Sequence, residues 1–564
     1  PTAAGSITVA APTSQTTILN KLNVGSSFWR MNSGSATLNF AGAAPTIDVA
    51  DNGTLRMEVR VQSSAGITKT GNGLVFSNLQ SASAGFTGPL TIAAGTWQAG
   101  NNFALGDQKT VNIQSGATLN MSSLALGATL STGTGSVARG YTMNIAGDGS
   151  GSGAIIGSAS ILNGFSGIRN LTLTANASIG GTGTYDIGFN SGSINGGGNT
   201  LTKLGSGTVW LVAAASNISY QVSAGTLVAS GDAQALGGSG GSVTVASGAT
   251  LATSGITQIA TPLTLNSGAS LQNLSTGSTV TWTGSVAIGS GVTGTTFTGA
   301  STANTVINAV ISGTNGTLVK SGANTLTLSK SNTYTGLTKV TQGTLVLAST
   351  GSISQSSGIE ISSGAVLNVS AVNQFTVQNG QTLSGGGTIT GDVLINGAHT
   401  PGFSPGLQTF SNNLSYGTGS SIVWELNANT ASLLSRGTSY DGINVAGNLS
   451  FNAPTTLNLS FNLSGSSVNW NDSLWSNPLL GTSGWKIFDV DGTMSGFNNL
   501  SIASINWLDS SGQSLSSVRP GYTFGLHQAA DGIYLNYTVV PESSTTLLLA
   551  FFAGATAWRR KRSS

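Results

Sequence analysis

Hydrophobic residues in this chain come in short pulses at period two. Val111 and Ile113, Leu171 and Leu173, Val243 and Val245, Leu263 and Leu265, Leu326 and Leu328, and Ile359 and Ile361 each flank one polar residue. Period two places each pair on one face of a β-strand, and no stretch of the body sustains the i, i+3, i+4 pattern of an amphipathic helix. Between the pulses lie Gly, Ser, Thr and Asn, which supply turns. The pulses also repeat at longer range. Gly95-Thr96-Trp97 leads through Ala104-Leu105-Gly106 to Ser115-Gly116-Ala117-Thr118-Leu119. Gly225-Thr226-Leu227 leads through Ala235-Leu236-Gly237 to Ser247-Gly248-Ala249-Thr250-Leu251, and Gly343-Thr344-Leu345 leads to Ser363-Gly364-Ala365-Val366-Leu367. Units this short cannot bury an apolar face alone and stabilise one another by stacking. The pattern predicts an all-β fold, a right-handed parallel β-helix over residues 1–395, with Leu105, Leu119, Leu236, Leu251 and Leu367 at inward positions. A string of separate β-sandwiches is the competing architecture, which such short repeats disfavour.

The texture changes near residue 396. Pro401-Gly402-Phe403-Ser404-Pro405-Gly406 is a rigid turn cluster. Beyond it aromatics gather: Trp424, Phe451, Phe461, Trp470, Trp475, Trp485 and Trp507. Residues 396–540 are expected to form a C-terminal β-rich module that caps the solenoid, or else its last, less regular coils. Residues 541–564 form a third segment, with a short apolar tail helix.

Charge narrows the function. Charged residues make up 6% of the chain, against roughly 25% in ordinary soluble domains. Outside residues 541–564 there are 15 basic and 16 acidic side chains, from totals of 19 and 17 less the four basic and one acidic residues of that segment. No clustered Lys and Arg are visible for a nucleic-acid backbone, so no nucleic-acid partner is expected. Cysteine is absent, which removes disulfides, thiolate metal sites and Cys nucleophiles. Pro1-Thr2-Ala3-Ala4 has neither a basic region nor an apolar core, and reads as a mature end or a boundary rather than a signal peptide.

Candidate chemistry is sparse. The nearest carboxylate pairs are Asp48 with Asp51 and Asp489 with Asp491. Asp489-Val490-Asp491-Gly492 lacks the remaining ligands of a calcium loop and reads as an Asp-Gly turn. Gly402-Phe403-Ser404-Pro405-Gly406 matches G-x-S-x-G, but the residue after Ser is Pro405, which has no N–H for an oxyanion hole. His399 and His527, the only histidines, are expected at isolated surface or turn positions. Gly147–Gly153 and Gly196–Gly198 lack the Lys-Ser/Thr that follows a phosphate loop, and read as corner glycines. Scattered Trp and Tyr could serve as sugar platforms, though core packing explains them equally well. No catalytic residue, cofactor site or metal site is assigned.

Two resemblances add to this. Gly316-Thr317-Leu318-Val319-Lys320-Ser321-Gly322-Ala323-Asn324-Thr325-Leu326-Thr327-Leu328, then Asn332-Thr333-Tyr334-Thr335-Gly336 and Gly343-Thr344-Leu345, resemble the autotransporter-associated β-strand repeat family. Residues 199–228, which include Leu201-Thr202-Lys203-Leu204-Gly205, are a degenerate second copy, with Ser219-Tyr220 in place of Tyr334-Thr335-Gly336. The resemblance implies a parallel β-helix on an exported, surface-associated protein. Val540-Pro541-Glu542-Ser543 precedes an apolar stretch from Thr545 to Trp558, followed by Arg559-Arg560-Lys561-Arg562. This ending is similar to a PEP-CTERM sorting signal, with Ser543 in place of the usual Pro. The similarity implies an exosortase-like processing enzyme as partner. Leu547, Leu548, Leu549, Phe551, Phe552 and Trp558 favour insertion in the inner membrane, and the basic cluster stays on the cytoplasmic side. An ordinary tail anchor is the other reading of the same residues.

Together these features predict an exported, non-enzymatic structural or adhesive protein of the bacterial cell surface or matrix. It would be anchored transiently through its tail, with exopolysaccharide or other surface proteins as further partners. A β-helix polysaccharide lyase or hydrolase is the runner-up, signalled by three or more carboxylates in one groove. A carbohydrate-binding module, signalled by a line of exposed aromatics, is the third.

Overall fold

A computed structural model describes residues 5–8, 16–79, 85–101, 104–106, 110–122, 129–132, 135–138, 141–158, 167–189, 191–403, 405–503 and 507–540. The chain is an all-β parallel solenoid, with almost no helix among the described residues. Contacts divide it into two compact units, Pro1–Ser357 and Gly358–Ser564.

In the first unit, short strands stack in parallel ladders. One runs through Thr46–Val49, Ile67–Thr70, Leu90–Ile92, Thr110–Ile113 and Thr142–Gly147. Another runs through Phe28–Phe40, Thr54–Gln62, Leu74–Ser77, Gly95–Ala99 and Ala117–Asn120. Further along, Thr208–Leu211, Thr226–Ser230, Thr250–Ser254, Ser270–Asn273, Gly291–Gly299 and Gly316–Lys320 pair in register. Leu227 lies against Leu251, Leu251 against Leu271 and Leu271 against Phe297. Successive coils therefore advance by 24, 20 and 26 residues. Each inward side chain rests on its counterpart one coil away, and these columns are the core. Leu105, Leu119, Leu236 and Leu251 are all 0–1% exposed, at the inward positions expected of them. Burying each such side chain contributes about 1.5–3 kcal/mol.

Corners explain the glycine. Gly205 turns the chain out of a strand at φ +69°, and a Cβ there would lie 2.5 Å from the carbonyl oxygen of Gly181 in the preceding coil. Only glycine meets both demands without strain.

In the second unit, Gly358–Ile361, Thr382–Gly385, Ala398–Pro401, Ser421–Glu425, Thr455–Ser460 and Leu500–Ile502 form one parallel ladder. Leu367 is fully buried here. The coils lengthen: Phe410 pairs with Val445, 35 residues on, and Ile443 with Phe488, 45 residues on. The additional chain carries an aromatic core. Trp470 and Trp475 centroids are 4.7 Å apart, Phe461 and Phe524 5.1 Å, and Trp475 and Trp485 5.5 Å. Their indole N–H groups are satisfied: Trp424 donates to Asp441 O, Trp470 to Gln513 O, Trp475 to Asn429 Oδ1 and Trp485 to Thr430 O. The unit ends in an antiparallel hairpin, Tyr522–Ala529 with Gly532–Val539, which joins the parallel strand Trp485–Val490.

Candidate functional site

Ionisable side chains are few, so the place of each one is informative. Among the described residues of the first unit, three lysines lie inside the solenoid. Lys69, Lys203 and Lys320 are 0–1% exposed, each the last inward residue before a corner. Lys320 stands in the column of Leu251, Leu271, Phe297 and Val340. Its Nζ donates to Ser321 O at 2.8 Å, Gly322 O at 2.8 Å and Gln342 O at 3.0 Å. Lys203 donates likewise to Leu204 O, Gly205 O and Ala224 O, and Lys69 to Thr70 O, Gly71 O and Ala94 O. In each case two carbonyls belong to the lysine's own corner and the third to the next coil. The ammonium has three protons and meets three acceptors. Burial pulls all three lysines down to about 8. These are structural cations: every donor is used, and none faces solvent. The match between the Lys203 and Lys320 segments was visible in the sequence. The third copy, Ile67-Thr68-Lys69-Thr70-Gly71, was missed because its flanking residues diverge.

His399 requires a correction. It is fully buried on the strand Ala398–Pro401, not at the surface. Its Nδ1 lies 2.6 Å from the Tyr416 hydroxyl and its Nε2 2.5 Å from Gln408 Oε1. Burial pulls it down to about 4, against a smaller upward pull from Gln408. A neutral imidazole held between two polar side chains in a closed core packs rather than reacts. His527 lies half-exposed on the terminal hairpin.

Asp441 sits beneath the Pro401–Gly406 turn. Its Oδ1 accepts from Gly406 N at 2.8 Å and its Oδ2 from Glu425 N at 3.0 Å. A Cβ on Gly402 would meet Asp441 Oδ1 at 2.6 Å, so this glycine admits the carboxyl. Burial pushes Asp441 up to about 8. Ser404 lies outside the described residues. Asp489 and Asp531 both contact Lys486, with Arg436 at 4.0 Å from Asp489. Asp48 accepts from Thr70 Oγ1 at 2.7 Å. Among the described residues, no three His, Asp or Glu side chains come together as a metal could require.

Two grooves of the first unit carry no acid–base pair. One is lined by Gln234, Ser239, Thr257 and Gln258 beside Gly237–Gly240, another by Asn72, Thr96, Thr118 and Ser150, and neither holds a titratable side chain. Trp424, Trp470, Trp475 and Trp485 are fully buried, so these residues are core and not sugar platforms. Among the described residues, Phe28 and Phe403 are the most exposed aromatics, at 45% and 52%.

One outward sheet face gathers charge, and the sequence reading missed it. The nine-residue strand Thr54–Gln62 alternates buried and outward residues, and Arg56, Glu58 and Arg60 point outward. Arg30 pairs beside Arg56, Arg56 beside Phe76 and Phe76 beside Gln98, each one coil apart. Glu58 accepts from Arg30 Nε at 2.6 Å and from Arg56 Nε at 2.7 Å. Desolvation raises the Glu58 carboxyl, but the bonds from Arg56 and Arg30 outweigh it and hold the group below its usual range. The Arg56 guanidinium lies 4.8 Å from the centroid of Phe76. Arg60 Nε is buried and has no hydrogen-bond partner among the described residues. Alternation in Arg56-Met57-Glu58-Val59-Arg60 was the available signal. The approach of Arg30, 26 residues away, depends on the coil register.

Of the sorting tail, Val540 ends the described chain, with its N–H on Gly521 O. Pro541, Glu542, Ser543, the apolar stretch and Arg559–Arg562 lie outside the described residues. Among the described residues no helix is long and apolar enough to cross a membrane. No curated protein matches the chain. The family model of the passenger-associated transport repeat matches residues 318–347, the segment that runs from the Lys320 corner through the strands Thr325–Leu328, Leu337–Val340 and Thr344–Leu347.

Proposed function

We propose that this protein is an exported, non-enzymatic structural or adhesive component of the bacterial cell surface or matrix. The observation that carries the reading is a passenger-associated transport repeat embedded in a parallel β-solenoid. Such repeats resemble those of surface passengers, and the solenoid around this one is built of the same coil. The ionisable groups support a structural role. The buried lysines bond corner carbonyls, Asp441 pins a turn, and Glu58 and Lys486 lie in ion pairs. The apolar stretch and basic cluster after Val540 hold the exported body in the inner membrane until an exosortase-like enzyme cuts near Pro541-Glu542. Cell fractionation with immunodetection, followed by intact-mass measurement, tests this. The expected result is surface-associated protein lacking the residues after the Pro541 region. A chain confined to the cytoplasm would refute export, and a surface chain ending at Ser564 would refute cleavage.

A further inference from the structure

We infer that the sheet face carrying Arg30, Arg56 and Arg60 binds an acidic, carboxylate-bearing polysaccharide. The inference deepens the adhesive reading and rests on it.

In a chain with so few charges, three guanidiniums and one carboxylate meet on a single outward face, leaving two net positive charges. Arg30 and Arg56 are held in register on neighbouring parallel strands, and the ladder shifts register between that pair and Arg60. Glu58 holds Arg30 by Nε and Nη2 and Arg56 by Nε, and their side chains remain 46% and 40% exposed. The remaining N–H groups of each planar fork suit a carboxylate. Arg60 stands four residues along the same strand, about 13 Å away at ~3.3 Å per residue. Its side chain is partly exposed and adds a further positive site to the same outward face. Positive sites spaced along a flat strand fit a linear polymer with repeating negative groups better than one compact anion.

The surroundings fit a sugar. Phe28 and Phe76 offer apolar surface at the edge of the patch, and Phe76 orders the Arg56 guanidinium by lying beneath it. Thr54 and Gln98 continue the outward columns on which Phe28 and Phe76 stand, with hydroxyl and amide groups for neutral hydroxyls. Nucleic acid is the poorer fit: two net charges displace few counterions, so the salt-dependent attraction would be slight. An anionic bilayer is poorer still, because a flat sheet with one largely exposed Phe inserts little apolar area.

The test is affinity electrophoresis of the full chain in gels containing polygalacturonate, its methyl ester, or dextran. Polygalacturonate should retard the protein, the two neutral polymers should not, and added salt should release it. Arg60→Gln, which removes one cation of the face, should weaken binding about tenfold, as for loss of one charge-assisted bond. Arg30→Gln should do the same. Glu58→Gln separates recognition from stability: it removes the competing anion and should strengthen binding, whereas ion pairs serving only the fold would give a lower melting temperature and no gain. Equal retardation by the methyl ester, no retardation by polygalacturonate, or unchanged binding by the Arg30→Gln/Arg60→Gln double variant would overturn the inference. Tighter binding to duplex DNA or to phosphatidylglycerol vesicles would replace it with the other partner class. The assay uses purified protein, so its failure would leave surface localisation standing.

Discussion

Replacing Lys320 with Met keeps the aliphatic stem in its column and removes only the ammonium. Three carbonyls, of Ser321, Gly322 and Gln342, then lose their donor inside a closed corner. An orphaned buried acceptor costs about 1–3 kcal/mol. Relief from burying a charge acts in the opposite direction and offsets part of this. The net loss should be about 2–4 kcal/mol, felt at the junction between the Lys320 corner and the coil that contains Gln342. Stacked coils do not unfold as a single two-state body. The assay is therefore hydrogen exchange of the amides from Gly316 to Leu347 rather than a global melt. The pH dependence gives a second check. The Lys320 pKa falls from 10.5 to about 8 on folding. Between those values the unfolded chain binds more protons, so this contribution is complete above 10.5 and lost as pH falls through about 8. The wild-type advantage over Lys320→Met should therefore be larger at pH 10 than at pH 7. Protection unchanged within about 0.5 kcal/mol would refute the idea that Lys320 holds the corner, and an advantage that shrinks on raising the pH would refute the lowering of its pKa by burial.

Two further outcomes are expected. Leu251→Asp should destabilise its region by several kcal/mol, because the site is fully buried between Leu227 and Leu271 and offers no partner for a charge; local exchange near wild-type rates would contradict this. For Asp441, folding raises the pKa from 3.8 to about 8, so its contribution is complete below 3.8 and lost as pH rises through 8. Asp441→Asn should remove that slope from the unfolding of the second unit, and also loosen the Pro401–Gly406 turn, since an amide cannot accept from both Gly406 and Glu425. An identical pH profile for the variant would sink the assignment.

The inward leucines and the corner glycines could be read directly from the sequence, because both follow from period two and from recurrent Ser-Gly-Ala turns. Features that depend on register could not. His399 looked isolated, since its partners Gln408 and Tyr416 sit on other strands of the coil. Asp441 lies 35 residues from the Gly406 amide it accepts. Lysine in an otherwise apolar column reads locally as an outward residue, and only the three waiting carbonyls make its burial affordable. The tryptophans after residue 396 were legible as a change in texture. Their burial was not, because the insertions that enclose them have no repeat of their own.

The change in coil length has a mechanical meaning. Each turn of the first unit grips its neighbour through one coil's worth of strand pairing, so tension applied at the chain ends would peel turns away one at a time. A turn of 24 residues such as that from Leu227 to Leu251 would release up to ~80 Å of extended chain, and the 45 residues from Ile443 to Phe488 up to ~150 Å, at 3.3–3.6 Å per residue. A solenoid made this way would lengthen in graded steps under load, with the longest steps guarded by buried aromatic rings.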